Sequence, residues 1–257
     1  MINIVVPMAG RGSRFASAGF TRPKPLILVH GLVPMIQLVV DNLTPRQEHR
    51  FIFLCLQDHL DEYDLDSQLK SIAPGAVVVP VQKVTEGAAC TVLLAKEYVD
   101  NDDALMIANS DQWVRLDVNE YLEGMAKGGF DGYIMTMKSD DPKWSYIGFT
   151  SDGRIDRVAE KVVISDEATV GIYNFAKGNL FVKAAEEMIR RNLRVNNEFY
   201  VAPAYNLLID SGANLGFYNV GREYNGMHGL GIPEDLGKFE NLAWTRKVAE
   251  ESRDKIR

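Results

Sequence analysis

Short apolar runs alternate with segments of helical periodicity along the first half of the chain. The runs are rich in β-branched residues and apolar throughout, a pattern typical of strands that helices cover on both faces. They occupy residues 4–7, 51–56, 76–81 and 104–108. The helical segments between them occupy residues 35–43, 60–72 and 88–99. Strands that alternate with helices predict an α/β fold with a mainly parallel central sheet.

The pattern changes beyond residue 130, where the strand-like runs become shorter and turn-forming stretches separate them. These runs read DGYIMTMK, YIGFT, GRIDRVA and TVGIYNF, and they predict mixed or antiparallel strands. Helical patterns at residues 180–191 and 202–210 follow, then a strand-like NLGFYNV, a Gly-rich loop and a charged C-terminal helix. Because no repeat or Pro/Ser-rich linker marks a boundary, we expect one domain.

Composition and charge narrow the class of protein. The chain has 257 residues, of which 46% are hydrophobic and 25% charged, so it can bury a substantial core. Its net charge of −7 argues against a nucleic-acid partner, so an anionic ligand must be bound locally. No apolar run approaches the roughly 18 residues that span a bilayer, and the N-terminus lacks a signal pattern. We therefore expect no membrane association and a cytoplasmic location.

Cys55 and Cys90 lie in apolar stretches without CxxC or Cys/His spacing. Metal or redox chemistry requires such spacing, so the sequence predicts two buried thiols.

Glycine and arginine are concentrated in VPMAGRGSRF, residues 6–15, directly after the first predicted strand. Gly10 and Gly12 allow close approach of the backbone, and the guanidinium groups of Arg11 and Arg14 suit phosphate oxygens. Phe15 replaces the third glycine of a dinucleotide fingerprint, and the GK[ST] ending of a Walker A loop is missing. The stretch therefore indicates a phosphate-binding loop of another type; the alternative is a tight strand-to-helix turn with solvated arginines.

Lys24 lies between two prolines in TRPKPLILV, residues 21–29, so its backbone is restricted. Together with Arg14 it could neutralise a triphosphate and stabilise charge at the α-phosphate. A lone lysine of this kind is more often a surface residue. Lys24 therefore indicates phosphate binding only in combination with the Gly–Arg stretch.

The combination of MAGRGSRF with RPKPLI at residues 22–27 resembles the signature of the sugar-phosphate nucleotidylyltransferases, a GGxGxR loop followed by a PKPL-type lysine. The resemblance implies a single Rossmann-like α/β domain over residues 1–257, of the nucleotide-diphospho-sugar transferase type. Residues 1–115 would form the nucleotide-binding half and residues 116–257 the acceptor-binding half. Catalytic roles fall to Arg14 and Lys24, and nucleotide contacts to Ala9, Gly10, Arg11 and Gly12.

Two later segments extend the resemblance within the nucleotide-binding half. In VQKVTEGAACTVLLAKE, it places Gln82 at a pyrimidine-type base edge and the backbone of Gly87 and Ala88 under the base. A polar surface residue is the alternative for Gln82. In ALMIANSDQWV, Asp111 ends a buried strand, and a carboxylate there suits Mg²⁺ bridging phosphates. The resemblance makes Asp111 the catalytic metal ligand; the alternative is an aspartate that opens a turn.

The acceptor half resembles the family through WSYIGFTSDGRIDRVAEKVVISDEATVGIYNF. By this resemblance Glu160 and Lys161 meet the acceptor's hydroxyls and phosphate, while Gly148 and Gly171 line the pocket through their backbones. Glu198, in NNEFYVAPAYN, is predicted near a helix start, where the helix dipole alone would favour it. Its alternative role is to reach the substrate or a metal.

The sequence departs from the family at two places. MHGLGIPEDL, residues 227–236, has Gly229 and Gly231 where the family carries a second metal-binding aspartate. The acids or bases that could replace this aspartate are His228, Glu234 and Glu198. Asp111 with phosphates and water could also hold the metal alone, or catalysis could be lost. Asp235 is predicted to serve the turn and the following helix.

The second departure is Val162, which follows Lys161 where many sugar-specific members have proline. This difference weakens the prediction that the acceptor is an ordinary hexose phosphate.

The sequence predicts transfer of a nucleoside monophosphate from a triphosphate, pyrimidine rather than purine, to a phosphorylated acceptor, with Mg²⁺ and release of pyrophosphate. The favoured acceptor is a sugar 1-phosphate. This acceptor would place the enzyme in nucleotide-sugar biosynthesis for polysaccharide or capsule. Phosphocholine or another non-sugar phosphate is the alternative.

Two rival classes of protein stay open. One is a nucleotide-sugar-dependent glycosyltransferase, which usually has Asp-x-Asp where this chain has Asn109-Ser110-Asp111. The other is a non-catalytic nucleotide-binding homologue. Assembly into a homo-oligomer is left open by the sequence.

Overall fold

One large mixed sheet organises the computed structural model, which describes residues 1–255. The strands are β1 Ile2–Pro7, β2 Leu28–Val29, β3 Val33–Pro34, β4 His49–Leu56, β5 Val77–Val81, β6 Ala104–Ala108, β7 Gln112–Val114, β8 Gly132–Lys138, β9 Ser145–Phe149, β10 Ile155–Glu160, β11 Glu167–Phe175, β12 Leu215–Glu223 and β13 Gly226–Gly229. The helices are α1 Ser13–Ser17, α2 Met35–Leu43, α3 Gln57–Tyr63, α4 Leu65–Ile72, α5 Ala88–Leu93, α6 Lys96–Val99, α7 Val118–Gly128, α8 Gly178–Arg190, α9 Ala204–Asp210, α10 Pro233–Glu240 and α11 Thr245–Asp254, with a 3₁₀ turn at Lys24–Leu26.

The sheet has two parts, as the sequence predicts. Its order is β5-β4-β1-β6-β11-β8-β12-β13-β7, and the strands β5, β4, β1 and β6 are parallel neighbours. β11 runs antiparallel to both β6 and β8, and β9 and β10 form a hairpin joined to β11. The carboxyl ends of the four parallel strands therefore meet at one edge, where open α/β sheets bind ligands.

Apolar side chains fill both faces of the parallel part. Ile4 and Val6 of β1 pack in one cluster with Ile36 of α2, whereas Val5 packs in a second cluster with Phe181 of α8. Burial on both faces explains why these strands are apolar throughout instead of alternating. The predicted α/β class and mainly parallel first half are confirmed.

Several element boundaries differ from the prediction. The predicted helix 60–72 is two helices because Asp64 has a left-handed φ of 47°, and the predicted helix 88–99 breaks into α5 and α6. The Gly-rich loop contains the buried strand β13, and the C-terminal helix is a pair, α10 and α11. Residues 256–257 of the predicted domain lie outside the described residues.

Helix α7 was missed, although its buried side chains Val118, Tyr121 and Met125 have helical spacing. Cys55 is buried in β4, and burial raises the pKa of its thiol to about 12, while Cys90 is half-buried. Within residues 1–255, every helix is too short or too polar to cross a bilayer.

Candidate active site

Two connected clefts open at the carboxyl edge of the parallel strands. The large cleft, of about 650 Å³, lies between the loop after β1, the loop after β6 and the segment from β13 to α10. The small cleft, of about 220 Å³, lies between the β9–β10 hairpin, β11 and the segment before α9. Five residues line both, and these are Asn109, Gln112, Lys143, Trp144 and Lys161. A ligand that fills both clefts must pass these residues.

The Gly–Arg loop forms one wall of the large cleft. Gly12 has a φ of 62° and precedes α1, and a Cβ built on it would lie 3.2 Å from the Cβ of Lys24. Arg14 lines the cleft with its side chain exposed. Gly10 is exposed with open space around its Cα, and Ala9 is buried, so its backbone alone is available. The loop therefore offers backbone and one guanidinium to a ligand.

Arg11 points away from the cleft. Its guanidinium forms an ion pair with Asp58 of α3, and both side chains are more than half exposed. The hydrogen bond from Arg11 holds the pKa of the Asp58 carboxyl below its usual value. The predicted nucleotide contact of Arg11 would require this surface pair to break.

Lys24 and Asp111 meet inside the large cleft. The Lys24 Nζ donates to the Asp111 Oδ2 at 2.7 Å, although the two residues are 87 positions apart in sequence. Their side chains are only 24% and 20% exposed. The rigid proline-flanked turn and the end of β6 therefore bring together the lysine and the aspartate that the sequence singles out.

Phe15 anchors this arrangement from below. It is buried in a cluster with Ile27, Leu230 and Leu236, which belong to the turn after Lys24 and to the β13–α10 segment. The phenylalanine that replaces the third fingerprint glycine thus fixes three walls of the cleft to one another. Burial of such a side chain stabilises by about 1.5–3 kcal/mol.

The segment after β13 approaches both carboxylates of the cleft. The Leu230 N–H donates to the Asp111 carbonyl at 2.7 Å. A Cβ on Gly231 would lie 2.5 Å from the Asp111 Oδ2, whereas a Cβ on Gly229 would lie 3.5 Å from the Asp235 Oδ2. Asp235 lines the large cleft, and its Oδ1 accepts a hydrogen bond from the Tyr224 hydroxyl at 2.8 Å. Asp235 therefore contributes to the wall of the large cleft in addition to its predicted place in the turn.

His228, one of the predicted substitutes for the second metal ligand, lies away from both clefts. It is 2% exposed, lies in β13 among the rings of Trp113, Phe239 and Trp244, and lines neither cleft. Burial lowers the pKa of its imidazole to about 4. The histidine belongs to an aromatic cluster under the site.

Glu198 and Glu234 also lie outside both clefts. Glu198 is exposed in the segment before α9, and the interpretation as a helix start is wrong because α9 begins six residues later without an acid in its first turn. Glu234 borders a separate depression beside Arg14. Among residues 1–255, no group of three or more His, Cys, Asp or Glu side chains forms a metal cage.

The small cleft contains a buried acid and an exposed lysine. Glu160 is 8% exposed and accepts a hydrogen bond from the Ser145 hydroxyl, and burial raises the pKa of its carboxyl. The Lys161 Nζ donates to the Tyr200 hydroxyl at 2.8 Å and lies 4.8 Å from the centroid of that ring. This hydrogen bond raises the pKa of Lys161.

The glycines predicted for the acceptor pocket have different positions. Gly171, with a φ of 79°, packs against the amides of Asn109 and Gln112 and lines the small cleft, so a side chain there would collide with both. Gly148 lies in β9 against Arg157 and lines neither cleft. Trp144 and Ser145 replace it as the cleft residues of this stretch.

The predicted base-binding residues lie at the outer part of the edge. Gly87 precedes α5 with a φ of 137°, and a Cβ on it would collide with the Phe199 backbone, while Ala88 lines the small cleft. Gln82 follows β5, and its Nε2 donates to the Gln57 Oε1, 3.4 Å away at the end of β4. Gln57 was missed, although it also follows a predicted parallel strand. Neither glutamine lines the two clefts.

Lys143, Trp144 and Gln112 were missed as site residues. Lys143 and Trp144 belong to DPKW, one of the turn-forming stretches that separate the strand-like runs beyond residue 130. The Lys143 Nζ lies 4.9 Å from the Trp144 ring centroid and also pairs with Glu223 at 2.9 Å. Gln112 is 7% exposed, and its Oε1 has no hydrogen-bond partner within the described residues. Its only sequence signal was its position next to Asp111.

Known proteins share this architecture. A nucleoside-diphosphate-sugar pyrophosphorylase from Vibrio cholerae RC9 matches with a TM-score of 0.76 and 24% identity, covering 93% of this chain and 100% of that one. A UTP-bound UGPase from Acinetobacter baumannii matches at 0.72 and 18%, covering 100% and 99%. The inositol-1-phosphate CTP transferase from T. maritima matches at 0.68 and 14%, covering 98% and 96%. These identities establish a shared fold.

The mixed sheet, with its cleft at the carboxyl edge of the parallel strands, defines an α/β protein with the fold of these solved proteins. The family model described as nucleotidyl transferase matches residues 4–208. The chain therefore belongs to the nucleotidyl transferase family.

Proposed function

We propose that this nucleotidyltransferase moves a nucleoside monophosphate from a nucleoside triphosphate to a phosphorylated acceptor and releases pyrophosphate. The observation that carries the proposal is the Lys24–Asp111 pair in a large cleft that opens directly into a second, smaller one. The triphosphate occupies the large cleft and the acceptor occupies the small cleft. The reacting groups then meet at the wall that the two clefts share.

The charge distribution of the large cleft supports a polyphosphate ligand. Arg14, Lys24, Lys143 and Lys161 line it, in a chain whose net charge is −7. A guanidinium fork and ammonium groups are the usual partners of phosphate oxygens. The local excess of cations is therefore directed at one ligand and not at a broad surface.

The reaction needs alignment and charge compensation more than proton transfer. An oxygen of the acceptor phosphate forms a bond to the α-phosphorus, and the bond from that phosphorus to the bridging α–β oxygen breaks as pyrophosphate leaves. The attacking oxygen is already anionic, so no general base is required. Lys24 and Arg14 stabilise the charge on the α-phosphate and the leaving group, and Lys161 orients the acceptor phosphate.

The oxygen donors of the large cleft fit Mg²⁺. This ion takes one or two carboxylates, substrate phosphates and water, and Asp111 presents a partly exposed carboxylate in the cleft. When bound, the ion would neutralise phosphate charge. The Lys24 ammonium donates a hydrogen bond to that carboxylate.

The small cleft favours a hydroxyl-bearing acceptor over phosphocholine. A trimethylammonium group binds over aromatic faces, but lysine ammonium groups already lie 4.9 Å from the Trp144 ring centroid and 4.8 Å from that of Tyr200. Glu160 and Ser145, by contrast, offer a buried carboxyl and a hydroxyl to ligand hydroxyls. A sugar or cyclitol phosphate therefore fits better. The solved inositol-1-phosphate CTP transferase shares the fold.

The nucleobase is proposed to be a pyrimidine. Gln82 and Gln57 place two amide side chains side by side at the ends of β5 and β4. Amide groups offer both donors and acceptors, which the edge of a pyrimidine can match. The pair is exposed, so a bound base would cover it.

A substrate matrix tests the proposal. UTP, CTP, dTTP, ATP and GTP are each incubated with a hexose 1-phosphate, inositol 1-phosphate or phosphocholine, and pyrophosphate is measured. We expect release with a pyrimidine triphosphate and a polyol phosphate. Release of nucleoside diphosphate from a nucleotide sugar, without pyrophosphate from any pair, would instead establish the glycosyltransferase class. No turnover of either kind would establish the non-catalytic homologue.

A further inference from the structure

Lys161 has a backbone conformation that residues with a side chain rarely adopt. Its φ of 57° is left-handed, a region that such residues occupy at an energetic cost. Lys161 follows β10 directly, and its N–H donates to the Trp144 carbonyl at 3.1 Å. The chain therefore turns sharply at a residue that lines both clefts, and other contacts must hold its side chain there.

Tyr200 is the residue that contacts the Lys161 ammonium. The Lys161 Nζ donates to the Tyr200 hydroxyl at 2.8 Å and lies 4.8 Å from the centroid of the ring. The hydroxyl and the ring face thus act on the same ammonium. Tyr200 belongs to the segment before α9, 39 positions away in sequence, and lines the small cleft. The position of the lysine side chain therefore depends on where that segment lies.

The segment that carries Tyr200 is bonded to the turn at Gly87. The Phe199 N–H donates to the Glu86 carbonyl at 2.8 Å, and the Ala89 N–H donates to the Phe199 carbonyl at 3.0 Å. Phe199 is buried, and a Cβ on Gly87 would collide with its carbonyl oxygen. The two backbones are therefore in direct contact, without room for a side chain between them.

Arg194 strengthens the same contact from the surface. Its guanidinium pairs with Glu86 at 2.5 Å and lies 4.3 Å from the centroid of the Phe199 ring. The same guanidinium donates to the Asn197 carbonyl at 3.3 Å. Arg194 lines neither cleft. Its contacts therefore fix the segment to the nucleotide-binding half from outside the site.

We propose that Tyr200 is the positioning residue of Lys161 and that it acts from its contact with the Gly87 turn. The assignment rests on the proposed function, in which Lys161 orients the acceptor phosphate. A continuous set of contacts then joins the predicted base-binding backbone of Gly87 and Ala88 to the lysine that meets the acceptor. The nucleotide-binding half thereby sets the position of a group in the acceptor-binding half.

Acetylation of lysines in the full chain by an N-hydroxysuccinimide ester, followed by peptide mass spectrometry, tests the positioning without any substrate. The reagent attacks unprotonated amines, and the hydrogen bond to Tyr200 holds the pKa of Lys161 above its ordinary value. Tyr200→Phe removes this hydrogen bond and keeps the ring. We expect it to raise the labelling rate of Lys161 by about threefold or more, the scale for loss of one hydrogen bond.

Tyr224→Phe is the matched control. The Lys238 Nζ donates to the Tyr224 hydroxyl at 2.8 Å and lies 4.5 Å from that ring centroid, the same arrangement outside both clefts. Tyr224→Phe should raise the labelling rate of Lys238 and leave that of Lys161 unchanged. Arg194→Met should raise the labelling rate of Lys161, because it loosens the segment that carries Tyr200.

Kinetics separate positioning from direct contact with the acceptor. Tyr200→Phe should raise the KM for the acceptor by about three- to tenfold, the range for one hydrogen bond, and leave the KM for the triphosphate unchanged. In a Lys161→Met background the same substitution should change neither constant, because no ammonium is left to position. A direct contact between Tyr200 and the acceptor would cost the same in both backgrounds.

Unchanged labelling of Lys161 in Tyr200→Phe would overturn the assignment, as would equal losses with and without the Lys161 ammonium. Unchanged labelling of Lys161 in Arg194→Met, at the wild-type Tm, would overturn the role of the Gly87 turn. The substrate matrix, run on the same proteins, separates this result from the proposed function. Pyrophosphate release with unchanged Lys161 labelling in Tyr200→Phe rejects the Tyr200 role alone, whereas the expected labelling without any pyrophosphate release rejects the function alone.

Discussion

The two halves of the site are built in different ways. In residues 1–115, the groups that line the large cleft follow parallel strands or the proline-flanked turn, and the sheet edge sets their positions. In residues 116–255, the β9–β10 hairpin and the antiparallel strand β11 line the small cleft, and the start of α10 lines the large one. Under the proposed function, the first half binds the phosphates of the nucleotide through Arg14 and Lys24. Under the proposed function, the second half contacts the acceptor, because Glu160 and Lys161 line the small cleft.

Removal of the Lys24 ammonium should have the largest effect and tests the first half. We expect Lys24→Met to lower kcat by about a thousandfold, the scale for loss of a group that stabilises transition-state charge. The fold should survive, because the Asp111 carboxylate left behind is still partly exposed. The measurement is steady-state pyrophosphate release together with Tm.

Arg11→Ala is the matched control, because Arg11 belongs to the same Gly–Arg loop but pairs with Asp58 outside the cleft. Its kcat should stay close to that of wild type. If kcat fell equally in Lys24→Met and Arg11→Ala, a positive charge outside the cleft would matter as much as one inside it. The assignment of a specific role to Lys24 would then be wrong.

Substitution at Gly231 should have the next largest effect on the rate. It tests the contact between residue 231 of the second half and Asp111 of the first half. Gly231→Ala places a methyl group against the Asp111 Oδ2, and a misplacement of about 1 Å can cost about a hundredfold in rate. Gly229→Ala, whose methyl group meets Asp235 at 3.5 Å, should cost far less. Comparable rates in the two variants would contradict a functional role for the tight contact between residue 231 and Asp111.

Glu160 tests the second half alone. Glu160→Gln keeps a partner for the Ser145 hydroxyl but loses the charge, and we expect the KM for the acceptor to rise about tenfold, the worth of one hydrogen bond to a charged group. The KM for the triphosphate should not change. A rise in both constants would mean that the two clefts do not bind their ligands separately.

The pH dependence of stability should change in the same variant. Burial raises the pKa of the Glu160 carboxyl above its ordinary 4.5, so the folded state binds this proton more tightly than the unfolded state does. Its contribution to stability is full below that ordinary value and is lost as pH rises through the folded pKa. Urea unfolding of Glu160→Gln at a series of pH values should lack this decline.

His228 should have the smallest effect on activity. Because burial lowers the pKa of its imidazole from 6.5 to about 4, it contributes stability above pH 6.5 that is lost as pH falls toward 4. His228→Phe should keep both the rate and the Mn²⁺ affinity and should lose less stability on acidification. Loss of Mn²⁺ binding in this variant would return the histidine to the metal site.

The first half could be predicted well from sequence because the sheet topology constrains it. Apolar runs give the parallel strands, their carboxyl ends share an edge, and Asp111 at one such end must face the crevice. Lys24 could be predicted as an aimed charge because its neighbouring prolines restrict the backbone. The contact between the two residues required the structure, since it depends on the packing of Phe15 and Ile27.

The second half could be predicted less well because its register and packing are not local properties. Ser145 lies opposite Glu160 in the β9–β10 pair, and this register, not the motif, decides that Ser145 reaches the cleft and Gly148 does not. Asp235 starts a helix, which explains its presence without any ligand. Only the packing of α10 against β13 shows that its carboxylate also reaches the cleft.

The central claim is that the large cleft binds the triphosphate and passes its nucleotidyl group to an acceptor in the small cleft. Labelled α-phosphate in a pyrimidine nucleoside triphosphate, incubated with a polyol phosphate and Mg²⁺, tests it most directly. The label should appear in the nucleotidylated acceptor with one equivalent of pyrophosphate, and Lys24→Met should abolish both. Label recovered only in the unchanged triphosphate or in free nucleoside monophosphate, with no labelled acceptor, would contradict the account.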